Sequence, residues 1–448
     1  MKNKNKIPPV RALSMGYAIT ILAGTILLLL PISTRSGETT KFIDALFTAT
    51  SATCVTGLIP FDTFTHWTLF GQIVILILIQ IGGLGFMTIL TIIFMIFKRN
   101  ISLYNRTILM QSAGTYNISE VTKLIKRIIV GTLLIEAVGA TILSLEFAKT
   151  LSTPRAIYYG IFHSVSAFCN AGFDILGSST GSLTQYFNNE VILITIMVLI
   201  VIGGLGFIVW SDLMDCKFKF NKLQLHSKIV LTGTLALIII PAILFYIVEF
   251  TSFGNQGNFQ HLEFTDKLLN SFFLSISPRT AGFITLDLTQ LTSSGKLLTI
   301  ILMFIGGNSG STAGGIKVTT FIIVLVSLVA SARGNRKVRL FKRRVPSKVV
   351  TQAGSLFVAY MLMIIMASLI ITSIEQFTFE QVLFEVVSAI GTVGLSLGVS
   401  GSAGVITKLV LILLMYTGRL GALALLAVFV TEKNENIIEE PKGRILVG

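Results

Sequence analysis

The sequence predicts an all-α polytopic membrane protein made of four tandem copies of one module, each a spanning helix, a short half-helix with a glycine loop, and a second spanning helix. Three observations carry that prediction. Apolar residues make up 53% of the 448-residue chain and charged residues 12%, against about 25% charged in ordinary soluble domains, and the mean hydropathy is +0.82. Ser51-Ala-Thr-Cys-Val-Thr-Gly57-Leu58 returns as Ser166-Ala-Phe-Cys-Asn-Ala-Gly172-Phe173, as Ile276-Ser-Pro-Arg-Thr-Ala-Gly282-Phe283 and as Ser388-Ala-Ile-Gly-Thr-Val-Gly394-Leu395, with the glycines 115, 110 and 112 residues apart. A period near 110 residues is too long for a solenoid unit. Finally, each loop sits between two strongly apolar segments.

The first repeat occupies 1–100, with a first span at 13–30, a half-helix at 41–52, the Gly57 loop and a second span at 69–97. The half-helix is too short to cross a hydrocarbon core, which takes around 20 helical residues. It is read as re-entrant, because irregular backbone at that depth survives only beside protein or a water-filled cavity. The second repeat, 101–216, carries a span at 124–146, a half-helix at 156–168, the Gly172 loop and a span at 190–213. The third, 217–335, has a span at 228–250, a half-helix at 265–276, the Gly282 loop and an interrupted span over 297–331. The fourth, 336–432, has a span at 350–373, a half-helix at 379–390, the Gly394 loop and a last span at 405–430, and 433–448 is a charged tail.

A second motif keeps the same register. Ile81-Gly-Gly-Leu-Gly85-Phe86 recurs as Ile202-Gly-Gly-Leu-Gly206-Phe207 and degenerates to Ile305-Gly-Gly-Asn-Ser-Gly310 and Thr417-Gly-Arg-Leu-Gly421; its first glycine lies 24 to 31 residues after each loop glycine. Small residues inside a span let helix backbones approach closely. The motif lacks a βαβ context and is no dinucleotide site.

The net charge of +14 does not indicate nucleic acid, because the basic residues sit in short connections between apolar segments. Eight spans put both termini on one side. That side carries Lys2, Lys4, Lys6 and Arg11, then Lys98, Arg99, Arg106, Lys123, Lys126 and Arg127, then Lys217, Lys219, Lys222 and Lys228, and then Arg333, Arg336, Lys337, Arg339, Lys342, Arg343, Arg344 and Lys348. The opposite connections are much poorer, with Arg35 and Lys41, then Lys149 and Arg155, then Lys267. The positive-inside rule makes the termini cytoplasmic. Cys54, Cys169 and Cys216 lack disulfide or zinc spacing. The run from Leu13 to Leu30 is too long for a signal core and has no small-x-small site before Pro31, so it is read as the first span.

One glycine loop alone would be read as packing. Four at matched positions, each behind a half-helix, form a plan for cation selectivity: backbone carbonyls replace an ion's water without titratable charge, glycine admits the φ > 0 that turns carbonyls inward, and half-helix C-termini favour a cation.

Val55-Thr-Gly57-Leu, Asn170-Ala-Gly172-Phe-Asp174, Arg279-Thr-Ala-Gly282-Phe and Thr392-Val-Gly394-Leu resemble the superfamily of Ktr, Trk and HKT potassium transporters, over nearly the whole chain, and most of all the bacterial Ktr membrane subunits of KtrB or KtrD type. The resemblance implies eight transmembrane helices in four M1–pore helix–M2 units around one pseudo-fourfold pore. Its selectivity filter would be lined by Val55, Thr56, Gly57, Asn170, Ala171, Gly172, Thr280, Ala281, Gly282, Thr392, Val393 and Gly394. Some plant relatives that prefer sodium carry Ser at the first glycine; Gly57 stands here, which favours K⁺. The resemblance further implies a homodimer on a cytosolic ring of KtrA or KtrC type that carries the ATP/ADP control, with Na⁺ as an activator and no cofactor in this chain. The basic cytoplasmic connections, Arg333–Lys348 above all, are expected docking surfaces for that ring.

The third repeat breaks the pattern. Gly306, Gly307, Asn308, Ser309, Gly310, Ser311, Thr312, Ala313, Gly314, Gly315, Ile316 and Lys317 hold five glycines in ten residues, each costing nearly 1 kcal/mol relative to Ala in a helix. The expectation is an intramembrane loop that acts as a gate. Arg419 falls at this level in the last span, where a charge costs roughly 2.5–3.5 kcal/mol; facing the loop, it would bond loop carbonyls. Arg279 is expected to brace its loop through a carboxylate or carbonyl, Asp174 either to concentrate cations or to cap a loop, and His163 to be packed. Glu136 lies in a span with no evident partner. No P-loop, paired carboxylates, metal spacing or nucleophile–base set appears, so no enzyme is expected. The rival reading is an ion-coupled secondary transporter, a K⁺/H⁺ symporter or an organic-solute carrier, also built from broken helices.

Overall fold

The computed structural model describes residues 9–85, 121–177, 182–251, 258–335 and 337–421. The end of the first repeat (86–100), the start of the second (101–120), the end of the last span (422–430) and the tail lie outside the described residues.

The helices, in order, are α1 (Pro9–Leu29), α2 (Phe42–Cys54), a single turn α3 (Thr63–His66), α4 (Leu69–Leu84), α5 (Val121–Phe147), α6 (Thr153–Cys169), α7 (Glu190–Leu205), α8 (Phe207–Asp215), α9 (Leu225–Phe250), α10 (Phe264–Ile276), α11 (Ser293–Phe304), α12 (Val318–Ala332), α13 (Ser347–Ile374), α14 (Phe379–Gly391), α15 (Val399–Ser402) and α16 (Val405–Leu420). A two-stranded hairpin, β1 (Arg339–Leu340) and β2 (Arg343–Arg344), joins α12 to α13.

Among the described residues four helices are long and apolar enough to cross a membrane, within α1, α5, α9 and α13, or five if α7 and α8 count as one bent span. Only 28–39% of the residues in each of the four are buried. Their outer faces carry bare hydrocarbon such as Ile19, Leu134, Leu235 and Leu362, which lipid or another apolar surface has to cover. The half-helices are the reverse: α2, α10 and α14 are 13 residues long, α6 is 17, and their C-terminal turns are wholly buried.

The second spans are less continuous than the sequence suggested. Only the third was expected to break, but α7 stops at Leu205 and α8 leaves at 88°, so the expected straight span over 190–213 does not exist. α4 and α16 likewise stop, at Leu84 and Leu420. The cause is the last glycine of the repeated motif: Gly85, Gly206 and Gly421 hold φ of 84°, 96° and 90°, outside the range of helical backbone. The earlier glycines of the motif do the packing. A side chain on Gly82 would strike the Thr53 carbonyl, one on Gly203 the Phe168 carbonyl and one on Gly418 the Ile390 carbonyl. The second helices therefore sit directly against the ends of the half-helices.

Polar groups at depth are satisfied locally. Pro241 inside α9 removes one N–H and frees the Leu237 carbonyl. Ser275 of α10 donates to Leu237 O at 3.2 Å and Ile238 O at 2.7 Å. At the opposite ends of three of the four first spans, a glutamate ties the span to the start of its second helix: Glu146 accepts from Asn189 Nδ2 at 3.0 Å, Glu249 from Thr292 N at 3.1 Å and Glu375 from Gly404 N at 2.7 Å. Each carboxylate thus lies at a helix N-terminus, where backbone N–H groups favour negative charge.

Candidate ion pathway

Each half-helix leads into the same turn, directly in three repeats and three residues later in the third, where α10 ends at Ile276 with Ser277 still in right-handed conformation. Val55, Asn170, Thr280 and Thr392, two residues before the four glycines, all have left-handed backbone, with φ of 58°, 60°, 72° and 52°. In three of the four the chain reverses through paired bonds, such as Val55 N to Ala52 O and Thr56 N to Ser51 O. A serine then clamps each loop: Ser51 and Ser388 hydroxyls accept from Gly57 N (3.0 Å) and Gly394 N (3.1 Å), while Ser166 and Ser277 donate to Phe173 O (2.6 Å) and Phe283 O (2.5 Å). These clamps were not inferred from sequence, although a serine five or six residues ahead of every glycine was the available signal.

The four loops meet. A Cβ placed on Gly57 would lie 2.5 Å from the Ala171 carbonyl oxygen, one on Gly172 2.6 Å from Ala281 O, one on Gly282 against Val393 O, and one on Gly394 against Thr56 O. Each glycine thus faces the carbonyl that precedes the glycine of the next repeat, and the series closes from the fourth back to the first. Val55, Thr56, Asn170, Ala171, Thr280, Ala281, Thr392 and Val393 are brought together with the glycines and are all essentially buried. The buried hydroxyls of Thr56 and Thr392 have no hydrogen-bond partner.

Side chains link the modules in chain order. Gln72 Oε1 accepts from Tyr158 OH at 2.9 Å, Lys296 pairs with Glu380 at 3.2 Å, and Lys408 with Asp44 at 2.7 Å. Gln72, Lys296 and Lys408 are each the fourth residue of their helix. The last pair joins the first and fourth repeats across 364 residues and is almost fully buried. Sequence reading missed it, since nothing local marks partners so far apart.

Beneath the ring lies the glycine-rich loop. α11 ends at Phe304 and α12 starts at Val318, with Ile305 and Ile316 paired side by side. Asn308 donates through Nδ2 to Gly204 O (2.8 Å) and Thr234 Oγ1 (3.1 Å), and Gly310 O accepts from Phe207 N (2.8 Å) at the α7–α8 bend. Thr312 reaches the Phe168 carbonyl at 3.3 Å. A side chain on Gly314 would collide with Thr392, and one on Gly315 would approach Gly391, so the loop touches the end of α14 as well as that of α6. Lys317 folds back on the Ala313 and Gly314 carbonyls, at 2.7 and 3.2 Å. Arg419 spans the gap between repeats, donating to Thr312 O on the loop and to Gly82 O and Gly83 O on α4.

Other singled-out residues lie outside this assembly or support it differently. Asp174 caps its loop, accepting from Leu176 N at 3.0 Å, and burial pushes its carboxyl up to about 7. His163 packs among Phe147, Tyr159 and Phe162. Glu136 has partners after all, in Gln80 Nε2 at 3.1 Å and the Cys169 thiol at 3.9 Å. Arg279 departs from expectation. It is buried, its Nε has no hydrogen-bond partner, and no carboxylate among the described residues pairs with it.

The family model for TrkH, described as a cation transport protein, matches residues 9–439. The chain belongs to that family. It is a multi-pass membrane transport protein, and the family is not one of enzymes. Among its relatives, the potassium/sodium uptake protein NtpJ of Enterococcus hirae is 40% identical over 99% of this chain and 98% of that protein. The Ktr system potassium uptake protein B of Bacillus subtilis is 38% identical over 99% of this chain and 97% of that protein. The crystal structure of the potassium transporter TrkH from Vibrio parahaemolyticus superposes with a TM-score of 0.75, covering 96% of this chain and 86% of that one at 18% identity, which establishes the shared fold.

Proposed function

We propose that the chain takes up potassium across the bacterial plasma membrane through one pore, formed by four M1–pore helix–M2 repeats in pseudo-fourfold arrangement with both termini in the cytoplasm. The observation that carries this reading is the closed series of glycines and carbonyls from Gly57 to Gly394. Carbonyl oxygens of Thr56, Ala171, Ala281 and Val393, with those of the residues before them, replace the water of a dehydrated cation. Four half-helix C-termini converge beside them and add favourable potential for a positive charge. With 100 mV across the membrane, inside negative, each entering charge gains about 2.3 kcal/mol, which supports accumulation without ATP hydrolysis.

The loop 305–317 acts as the gate, and Arg419 holds it across the path, its fixed charge opposing K⁺ while its donors occupy loop carbonyls. Relatives named for a Ktr system support a multi-component assembly. In it this chain forms a homodimer on a cytosolic ring of KtrA or KtrC type, with ATP and ADP acting on the ring. The name of NtpJ includes sodium, which supports Na⁺ as activator or second cargo.

The test is K⁺ uptake into a potassium-transport-deficient bacterium that also expresses the cytosolic subunit. The native chain restores uptake, whereas Gly57→Ser and Gly282→Ser weaken K⁺ affinity about ten-fold or more or admit Na⁺, since a side chain at these φ values costs roughly 1–3 kcal/mol and strikes a lining carbonyl. Native affinity and selectivity in both variants would remove the ring from the pathway and favour coupled transport through Glu136 and Gln80.

A further inference from the structure

At the far end of α12 the charge pattern changes abruptly. Between Arg333 and Lys348 stand eight basic residues and no acidic one, and no Asp or Glu occurs anywhere from Leu288 to Ile374. Among the described residues Arg333, Lys337 and Arg339 form no ion pair. Between α12 and the start of the hairpin lies a cavity of about 410 Å³, lined by Val326, Val329, Ala330, Arg333, Asn335, Lys337 and Arg339. Val326, Val329, Ala330 and Arg333 follow the i, i+3, i+4, i+7 spacing of one helix face. One wall is therefore an apolar helix face and the other a set of uncompensated cations.

We propose that this cavity binds the headgroup of an anionic phospholipid, with its acyl chains along Val326 and Val329. The phosphate would lie between Arg333, Lys337 and Arg339, and Asn335 would bond headgroup oxygens. Three points select a lipid over a soluble anion or a docked protein. The apolar wall extends to Val326, six residues or roughly 9 Å up the helix from Ala332, to a depth a soluble protein does not reach. Leu325, Leu328 and Val329 on the same stretch are exposed and need hydrocarbon beside them. Arg333 caps the C-terminal end of α12, where a cation is already favoured and a juxtamembrane basic cluster attracts acidic headgroups. A volume of this size is also within the range of small-molecule sites.

The consequence reaches the loop above. α12 begins immediately after Lys317, and its first turn is held to the loop by Val318 N to Gly307 O at 3.1 Å and by Ser309 to Thr319 at 3.2 Å. A headgroup that fixes the lower end of α12 restrains the segment that must move if 305–317 is to leave the path. This consequence rests on the gate reading above; the binding site itself does not.

The experiment titrates the purified full-length chain in detergent with phosphatidylglycerol or phosphatidylcholine and counts bound lipid by native mass spectrometry, with Rb⁺ flux in proteoliposomes read separately. The expected result is one phosphatidylglycerol per chain retained in preference to phosphatidylcholine. Neutralising a basic residue lowers that affinity roughly five-fold each, so R333Q/K337Q/R339Q together lower it on the order of a hundred-fold. Val329→Trp, which fills the cavity and leaves every charge in place, also displaces the lipid, and this guards against a triple variant that fails to fold. Equal retention of the two lipids, unchanged retention in both variants, or displacement by millimolar inorganic phosphate alone would overturn the site. So would variants that keep phosphatidylglycerol but lose the cytosolic subunit, because the cluster would then belong to that partner. Rb⁺ flux that stays unchanged when the lipid is displaced would instead count against the gate reading and leave the binding site standing.

Discussion

The ring of glycine loops and the loop 305–317 lie against each other and are built in opposite ways. The ring has four near-copies. In each, a left-handed residue two before the glycine turns the chain and a serine clamps the loop, and side chains link three of the four junctions between repeats. The loop beneath has one copy and five glycines in ten residues, and it is held by a few bonds to other elements: Arg419 reaching in to Thr312 O, its own Asn308 reaching out to Gly204 O, and the Phe207 backbone N–H at the α7–α8 bend. Repetition and local bonds make a fixed opening. A single glycine-rich crossing held by a few distant donors makes a part that can leave.

The largest effect should come from breaking the ring where its ends meet. Lys408→Met leaves Asp44 charged and buried without its partner, and breaking such a pair costs about 3–5 kcal/mol. The expected outcome is a marked fall in melting temperature of the detergent-solubilised protein together with loss of uptake. The double variant Lys408→Met/Asp44→Asn should recover most of the melting temperature, because no lone charge remains. A smaller effect, of opposite sign on transport, should follow Arg419→Gln. It removes charge-assisted bonds to Thr312, Gly82 and Gly83, each worth about 1.5–3 kcal/mol, from the loop and not from the ring. Flux in proteoliposomes should rise about five- to ten-fold with K⁺/Na⁺ selectivity unchanged. A selectivity change in Arg419→Gln, or faster flux in Lys408→Met, would erase the distinction between the two parts.

The difference between the two regions also governs what could be read in the sequence. The half-helices were placed to within about three residues, since their ends are marked locally by an interrupted apolar run and a glycine. The break over 306–317 was legible for the same reason, because glycines that cannot sustain a helix are adjacent in the chain. The helix end at Gly85 and the bend at Gly206 were not. Their motif reads as helix packing, and Gly82 and Gly203 do pack, but the third glycine of the same motif takes φ near 90°. Ser275, which answers the carbonyl freed by Pro241, sits on the next helix, and Asp44, which answers Lys408, on one 364 residues away. Such pairings are set by how the modules pack and leave no periodic trace. Glu136 was noticed as a charge in a span, yet its partners Gln80 and Cys169 come from two other helices.

The central claim is that the cation passes between the carbonyls of the four loops. Anomalous diffraction from crystals of the full-length protein grown in Tl⁺, a heavy stand-in for K⁺, tests it most directly. The account predicts a peak inside the ring, coordinated by oxygens of Thr56, Ala171, Ala281 and Val393 and weakened by an excess of K⁺. A ring without a peak, with Tl⁺ bound instead beside Glu136 and Gln80, would contradict it.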